Sequence, residues 1–206
     1  MTQIFHIHPD NPQKRLIVHS VEYLQKGGVI VYPTESGYAL GCHLGDKKAL
    51  ERIRAIRRLD DKHNFTLMCK DLSDIANYAR VDNDLYRVLK AHTPGPYTFI
   101  LKATRDVPRR VLHPKRKTIG IRVSENQICH DLLVEFDEPL ISTTLILPGE
   151  DMPMTDPFEI RDLLGSQVDL VIDGGFCGFE PTSVINLSED EIEIIREGAG
   201  DVSDFR

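Results

Sequence analysis

The sequence contains only four cysteines, Cys42, Cys69, Cys129 and Cys177, and no Cys-x-x-Cys pair among them. That spacing removes the usual signature of a structural zinc site or a redox dithiol, and leaves buried free thiols as the expectation. His6 and His8 alternate in FHIH and would share one face of a strand, yet no third acid or thiol stands near them to complete a metal site. No apolar run approaches the roughly 20 residues needed to cross a bilayer. The opening MTQIFHIHPD has neither a basic n-region nor an apolar h-region, so no membrane partner and a cytoplasmic location are expected. Generic nucleotide motifs are missing too. There is no G-x-x-x-x-G-K-[ST], and GGFCGF at 174–179 lacks the G-x-G-x-x-G spacing. No G-x-S-x-G and no Cys/His pairing announces a covalent nucleophile.

Positive charge, by contrast, is concentrated. Residues 51–122 hold 17 basic and 8 acidic side chains, residues 123–206 hold 3 and 20, and residues 1–50 hold 5 and 4. A basic segment inside a chain of net charge −7 points to an anionic partner, because a clustered surface keeps its local field whatever the total. With 41% hydrophobic and 28% charged residues, no repeat and no Ser/Gly-rich linker, a single domain over residues 1–206 is expected.

QKRLIVHSVEYLQK, stopped by Gly27-Gly28, has the apolar spacing of a helix, and Asp46 offers an N-cap to KKALERIRAIRR. Val29–Tyr32 reads as a strand covered on both faces, running into PTESGYALG, a loop by its Pro/Gly punctuation. Strands are further expected near 65–69, 97–102, 118–123, 140–144, 168–173, 183–187 and 191–196. Helices are expected at 72–79, 84–92, 127–136 and 157–164. Strands alternating with helices, with two consecutive strands near the end, predict an α/β layer fold with a mixed sheet.

Hydroxyl residues cluster at strand ends: Thr34 and Ser36, then Ser142, Thr143 and Thr144, then Thr182 and Ser183. Ligands of α/β sheets bind where loops diverge from strand ends, although each such hydroxyl is equally at home satisfying a turn. VPRRVLHPKRK gathers Arg109, Arg110, Lys115, Arg116 and Lys117 with no acid between them, a cluster able to hold several phosphates. Arg122, inside the apolar TIGIRV, needs an anionic partner from protein or ligand, since an unpaired buried guanidinium is costly.

The blocks GGVIVYPTESGYALGC (27–42), TPGPYTFIL (93–101), KTIGIRV (117–123), PLISTT (139–144), VDLVIDGG (168–175), PTSVINL (181–187) and IIREGAG (194–200) together resemble the YrdC-like family, in its order and over nearly the whole chain. PTESGYALGC, HNFTLMC and the PG after the STT block look like its YciO branch. The resemblance implies a twisted mixed parallel/antiparallel sheet with flanking helices around a basic concave cavity. It also implies a nucleotidyltransferase that makes L-threonylcarbamoyl-AMP from ATP, L-threonine and bicarbonate, with Mg²⁺ on the ATP, for tRNA threonylcarbamoyladenosine modification. Double-stranded RNA binding is the family's other association, and a non-enzymatic RNA-binding module is the alternative reading. By matching motif, Thr34, Arg122, Ser142, Thr143 and Ser183 would bind threonine, and Arg57, Thr118, Thr144 and Arg196 the nucleotide, ATP or AMP.

Two departures stand against the family pattern. A Lys-x-Arg pair corresponds to Arg57 and Leu59 here, and a Ser-x-Asn pair to Thr144 and Ile146. Losing two hydrogen bonds to charged groups, each about 1.5–3 kcal/mol, would weaken triphosphate binding roughly 10²- to 10⁴-fold unless a neighbour such as Arg58 compensates. The family's histidine after the next strand corresponds to Cys69. A synthase of reduced or altered activity is therefore expected.

Overall fold

The computed structural model describes residues 2–60 and 63–206. In chain order its elements are β1 (Gln3–His6), α1 (Lys14–Gln25), β2 (Ile30–Thr34), β3 (Gly37–His43), α2 (Lys47–Arg57), β4 (Thr66–Met68), α3 (Leu72–Tyr78), α4 (Asn83–His92), β5 (Tyr97–Lys102), β6 (Thr118–Arg122), α5 (Gln127–Phe136), β7 (Leu140–Thr144), α6 (Pro157–Leu164), β8 (Leu170–Asp173), β9 (Ser183–Asn186) and β10 (Glu193–Arg196). The helices start where their sequences allow. Asp46, Asp71, Asp82, Asn126 and Asp156 each stand at an N-cap and accept a backbone N–H of the first turn, an arrangement worth about 1 kcal/mol apiece.

The strands form one mixed sheet in the order β1-β8-β2-β3-β7-β4-β6-β5-β9-β10. Its register lines up two rows of side chains on opposite faces. One row runs Leu170, Ile30, Gly41, Ser142, Thr66, Gly120, Ile100, Asn186 through successive paired strands. The other runs Cys42, Ile141, Leu67, Ile121, Phe99, Ile185, Ile194. The second row is apolar throughout and joins a core to which α2, α3, α4 and α6 add Ile53, Ile75, Leu89 and Ile160. On the first row's face a smaller core gathers Ile30, Tyr32, Leu170 and Ile172 with Ile17, Leu24, Ile128 and Leu132 of α1 and α5. Beyond β3 that row turns to glycine and hydroxyl residues, and the face opens into a cavity.

Two expectations change. PTESGYALG is not a loop: Gly37 to His43 form β3, a hairpin partner to β2 with Thr34 paired to Gly37. Gly37 adopts φ +100°, a conformation that a side chain would strain, so the turn after Thr34 is tight enough to return at once into a strand. Tyr38-Ala-Leu-Gly-Cys42 is then buried, and Gly41 leaves room for the Tyr32 ring, 2.7 Å from where a Cβ would stand. Nor do the two N-terminal histidines share one face of a strand. His6 ends β1 with Nδ1 2.7 Å from Asp173, whereas His8 lies past the strand and its Nδ1 accepts the backbone N–H groups of Asp10 and Asn11. The four thiols are free and buried, as expected.

Candidate functional site

The cavity has a volume of about 530 Å³. Its floor comes from alternate residues of short strands: Thr66 of β4, Thr98 and Ile100 of β5, Thr118, Gly120 and Arg122 of β6, Ser142 and Thr144 of β7. Period-two alternation sends their neighbours, Leu67, Ile121 and Ile141 among them, into the apolar core. Gly120 keeps the floor low, since a Cβ there would stand 2.7 Å from the Thr66 methyl.

Four arginines and two histidines line the cavity, with no aspartate or glutamate among the described lining residues. Arg122 is 5% exposed and donates from Nη2 to the Glu35 carboxylate, whose other oxygen accepts from the Ser124 hydroxyl. Glu35, in the β2–β3 turn, is thus the partner the sequence demanded; yet the Arg122 Nε is buried with no hydrogen bond. Arg57 reaches the cavity from the last turn of α2, donating from Nε to the Ile146 carbonyl at 2.9 Å and from Nη1 to Thr143 Oγ1 at 2.6 Å. Burial lowers its pKa from the ordinary arginine value. Arg196 donates from Nε and Nη2 to the Thr182 carbonyl at 2.9 and 2.8 Å, while the Thr182 hydroxyl lies 2.8 Å from that of Thr98. Burial first, and the nearby Arg122 second, lower the Arg196 pKa. A register shift between Ile194 and Arg196 places Arg196 opposite Val184, on the cavity side.

His63 and His113 complete the lining. The His63 Nε2 lies 3.4 Å from Thr143 Oγ1 and its ring meets Phe65 edge-on at 5.1 Å. Burial, then the Arg57 and Arg54 guanidiniums, push its pKa down to about 4, so it is a neutral imidazole at pH 7. Neither histidine was legible as a site residue in the sequence; each stands in a loop next to a strand, with no motif around it.

Of the residues expected to bind small ligands, Arg57, Thr118, Arg122, Ser142, Thr143, Thr144 and Arg196 line this one cavity. Ser142 is held by the Tyr32 hydroxyl at 2.6 Å. Thr34 and Ser183 stand behind the wall. The Thr34 hydroxyl donates to the Gly37 carbonyl at 2.7 Å and accepts the Ser36 N–H, which fixes the hairpin turn carrying Glu35. The Ser183 hydroxyl donates to the Gly200 carbonyl at 2.6 Å and accepts the Gly198 N–H at 2.9 Å, tying down the segment that follows Arg196. Arg58 is exposed, adopts φ +50° beyond α2 and does not line the cavity. Leu59 packs against the apolar core, and Ile146 offers its carbonyl to Arg57.

The basic cluster at 109–117 divides in the same way. Arg116 lines the cavity. Arg110 turns inward, donating from Nη2 to the Leu44 carbonyl at 3.0 Å, and its Nε is buried without a partner. Only Arg109, Lys115 and Lys117 are left as an outer face, and Lys117 folds back onto the Pro114 carbonyl at 2.7 Å.

Among the described residues no helix is long and apolar enough to cross a membrane, and no group of three or more His, Cys, Asp and Glu is arranged to hold a metal. Among the described lining residues a Mg²⁺ would find no carboxylate, and it fits them as a companion of phosphate oxygens.

Comparison with known proteins gives this geometry a context. The chain is 58% identical over 205 residues to the uncharacterized protein YciO of Escherichia coli, covering all of both chains. The E. coli YciO crystal structure superposes with a TM-score of 0.96. A threonylcarbamoyl-AMP synthase of Vibrio vulnificus is 30% identical over 182 residues, 86% of this chain and 96% of that one. The fold, though not more at 20% identity, is shared with P. abyssi Sua5 complexed with L-threonine, at a TM-score of 0.90 over 98% of this chain and 59% of that one. The Sua5/YciO/YrdC family profile, described under telomere recombination, matches residues 22–198, and with the α/β sheet and arginine-lined cavity in place the chain belongs to that family.

Proposed function

We propose that this protein binds a nucleotide and an amino acid in the arginine-lined cavity and forms L-threonylcarbamoyl-AMP from ATP, L-threonine and bicarbonate, releasing pyrophosphate. The observation that carries the reading is a lining of four arginines and two histidines, with no carboxylate among the described residues, which favours a ligand bearing several negative charges. In this reaction a carbamate oxygen attacks the α-phosphate, so that catalysis rests on holding two anions together and stabilising charge as it develops. Arg122, through its unpartnered Nε, is suited to the amino-acid carboxylate, with Ser142 beside it. Arg57, Thr118, Thr144 and Arg196 are suited to the nucleotide, and Mg²⁺ arrives on its phosphates. Leu59 and Ile146 support an activity lower than that of enzymes with four polar groups at these positions. The test is incubation with ATP, L-threonine and bicarbonate, with the adenylate sought by mass. No product above a blank at high enzyme concentration overturns the synthesis.

A second reading, binding of double-stranded RNA or tRNA, is favoured by the exposed Arg109, Lys115 and Lys117. It requires affinity that falls steeply with salt and is lost when these three are neutralised.

A further inference from the structure

The segment from His113 to Lys117 was legible in the sequence only as part of a basic run. In the fold it is a closed turn with a defined inner face. The His113 N–H donates to the Thr118 carbonyl at 2.9 Å, and the Lys117 N–H returns to the His113 carbonyl at 3.0 Å. The His113 Nδ1 accepts the backbone N–H groups of Lys115 and Arg116 at 3.3 and 3.1 Å. An imidazole that accepts at Nδ1 carries its proton on Nε2, and its ring lines the cavity. Lys117 adopts φ +56° to close the turn, which leaves Arg116 on the cavity side. The turn also adjoins the end of α2: Arg54 donates from Nη2 to the Arg110 carbonyl at 3.4 Å, and Arg54 lies over Phe65, the ring that His63 meets from its edge. Arg57, His63, His113 and Arg116 all line the cavity, and Arg122 stands near enough to Arg196 to lower its pKa by like-charge repulsion.

We propose that the 113–118 turn is an anion wall, in which His113 Nε2–H and the Arg116 guanidinium bind the phosphates of a nucleotide that lie beyond the α-phosphate. The proposal rests on the nucleotide reading above and extends it to two lining residues to which that reading gave no ligand atom. It gives a physical answer to the apolar Leu59 and Ile146: the donors absent from the α2 and β7 ends are supplied from the turn between β5 and β6. Inorganic pyrophosphate shares the chemistry, so it is a source to be told apart from a nucleotide.

The experiment measures dissociation constants of ATP, AMP and sodium pyrophosphate for the full chain, for Arg116→Ala and for His113→Asn. Arg116 is exposed and its loss spares the fold. In His113→Asn the amide oxygen stands where Nδ1 stood, so the turn keeps its acceptor and loses only the Nε2 donor. Each variant is expected to weaken ATP and pyrophosphate about tenfold or more, as loss of one hydrogen bond to a charged group does, with AMP within about twofold. ATP and pyrophosphate both within about twofold of the parent in both variants would overturn the wall. AMP weakened as much as ATP would also overturn it. If the parent chain binds neither ATP nor AMP, the nucleotide reading fails and pyrophosphate decides alone: weaker binding in Arg116→Ala supports the wall, and no binding to the parent chain rejects it.

Discussion

Ile141, Leu67, Ile121, Phe99 and Ile185 are at most 1% exposed, while Ser142, Thr66 and Gly120, their immediate neighbours on the same strands, line a cavity. The two faces of this half of the sheet are one residue apart in sequence and opposite in chemistry. One face is sealed by α2, α3 and α4; the other is left bare because α1 and α5 cover the opposite half of the sheet. The difference teaches that stability and ligand binding are assigned here to alternate positions of the same strands, so that each can be disturbed with little cost to the other.

The comparison breaks most severely at the ion pair of Arg122 with Glu35. Glu35→Ala leaves the Arg122 guanidinium buried without its carboxylate and is expected to cost about 3–5 kcal/mol in denaturant unfolding. Ile121→Ala, on the sealed face, is expected to cost about 3 kcal/mol by the same measurement, with nucleotide affinity retained in the folded fraction. Gly120→Val reverses that pattern. Its side chain meets the Thr66 methyl and raises the cavity floor, so stability falls by only about 1–2 kcal/mol while ATP affinity drops about tenfold or more in a titration.

The smallest effect sharpens the picture by pH. The His63 pKa is lowered to about 4 in the folded protein, from an ordinary value of 6.5. Between those values the unfolded chain holds the extra proton, so this contribution is present above about pH 6.5 and is lost as the pH falls towards 4. His63→Gln is expected to flatten the fall in unfolding midpoint over that window, and the His63 imidazole should remain neutral at pH 5.5 in an NMR titration. A steep midpoint in the variant, equal to that of the parent chain, would show that His63 takes no part.

Helices were the most legible elements. All six carry 3.6-residue apolar spacing, and five have an Asp or Asn cap that ends the ambiguity about where they start. β3 was hidden because Gly37 and Gly41, each required by geometry, also read as loop punctuation. Within the site, Arg122 was legible because a charge in an apolar strand demands a partner. Thr98, Thr66 and Gly120 were not, although in TIGIRV the small or polar residues at 118, 120 and 122 alternate with Ile119, Ile121 and Val123, a period-two signal available without any structure. His63 depends on Thr143 of β7, distant in sequence, and His113 on a local turn that carries no recognised motif.

The extra residue in β10 also bears on how lengths should be compared among related chains. A regular ladder continuing from Ile194 opposite Ile185 would set Ile195, not Arg196, against Val184. The bulge absorbs Ile195 and delivers the guanidinium to that place. A relative lacking one residue at this point would keep its arginine on the same side by ordinary pairing, so a gap there is silent, whereas the same gap in β6 would exchange the inward and outward sets of side chains.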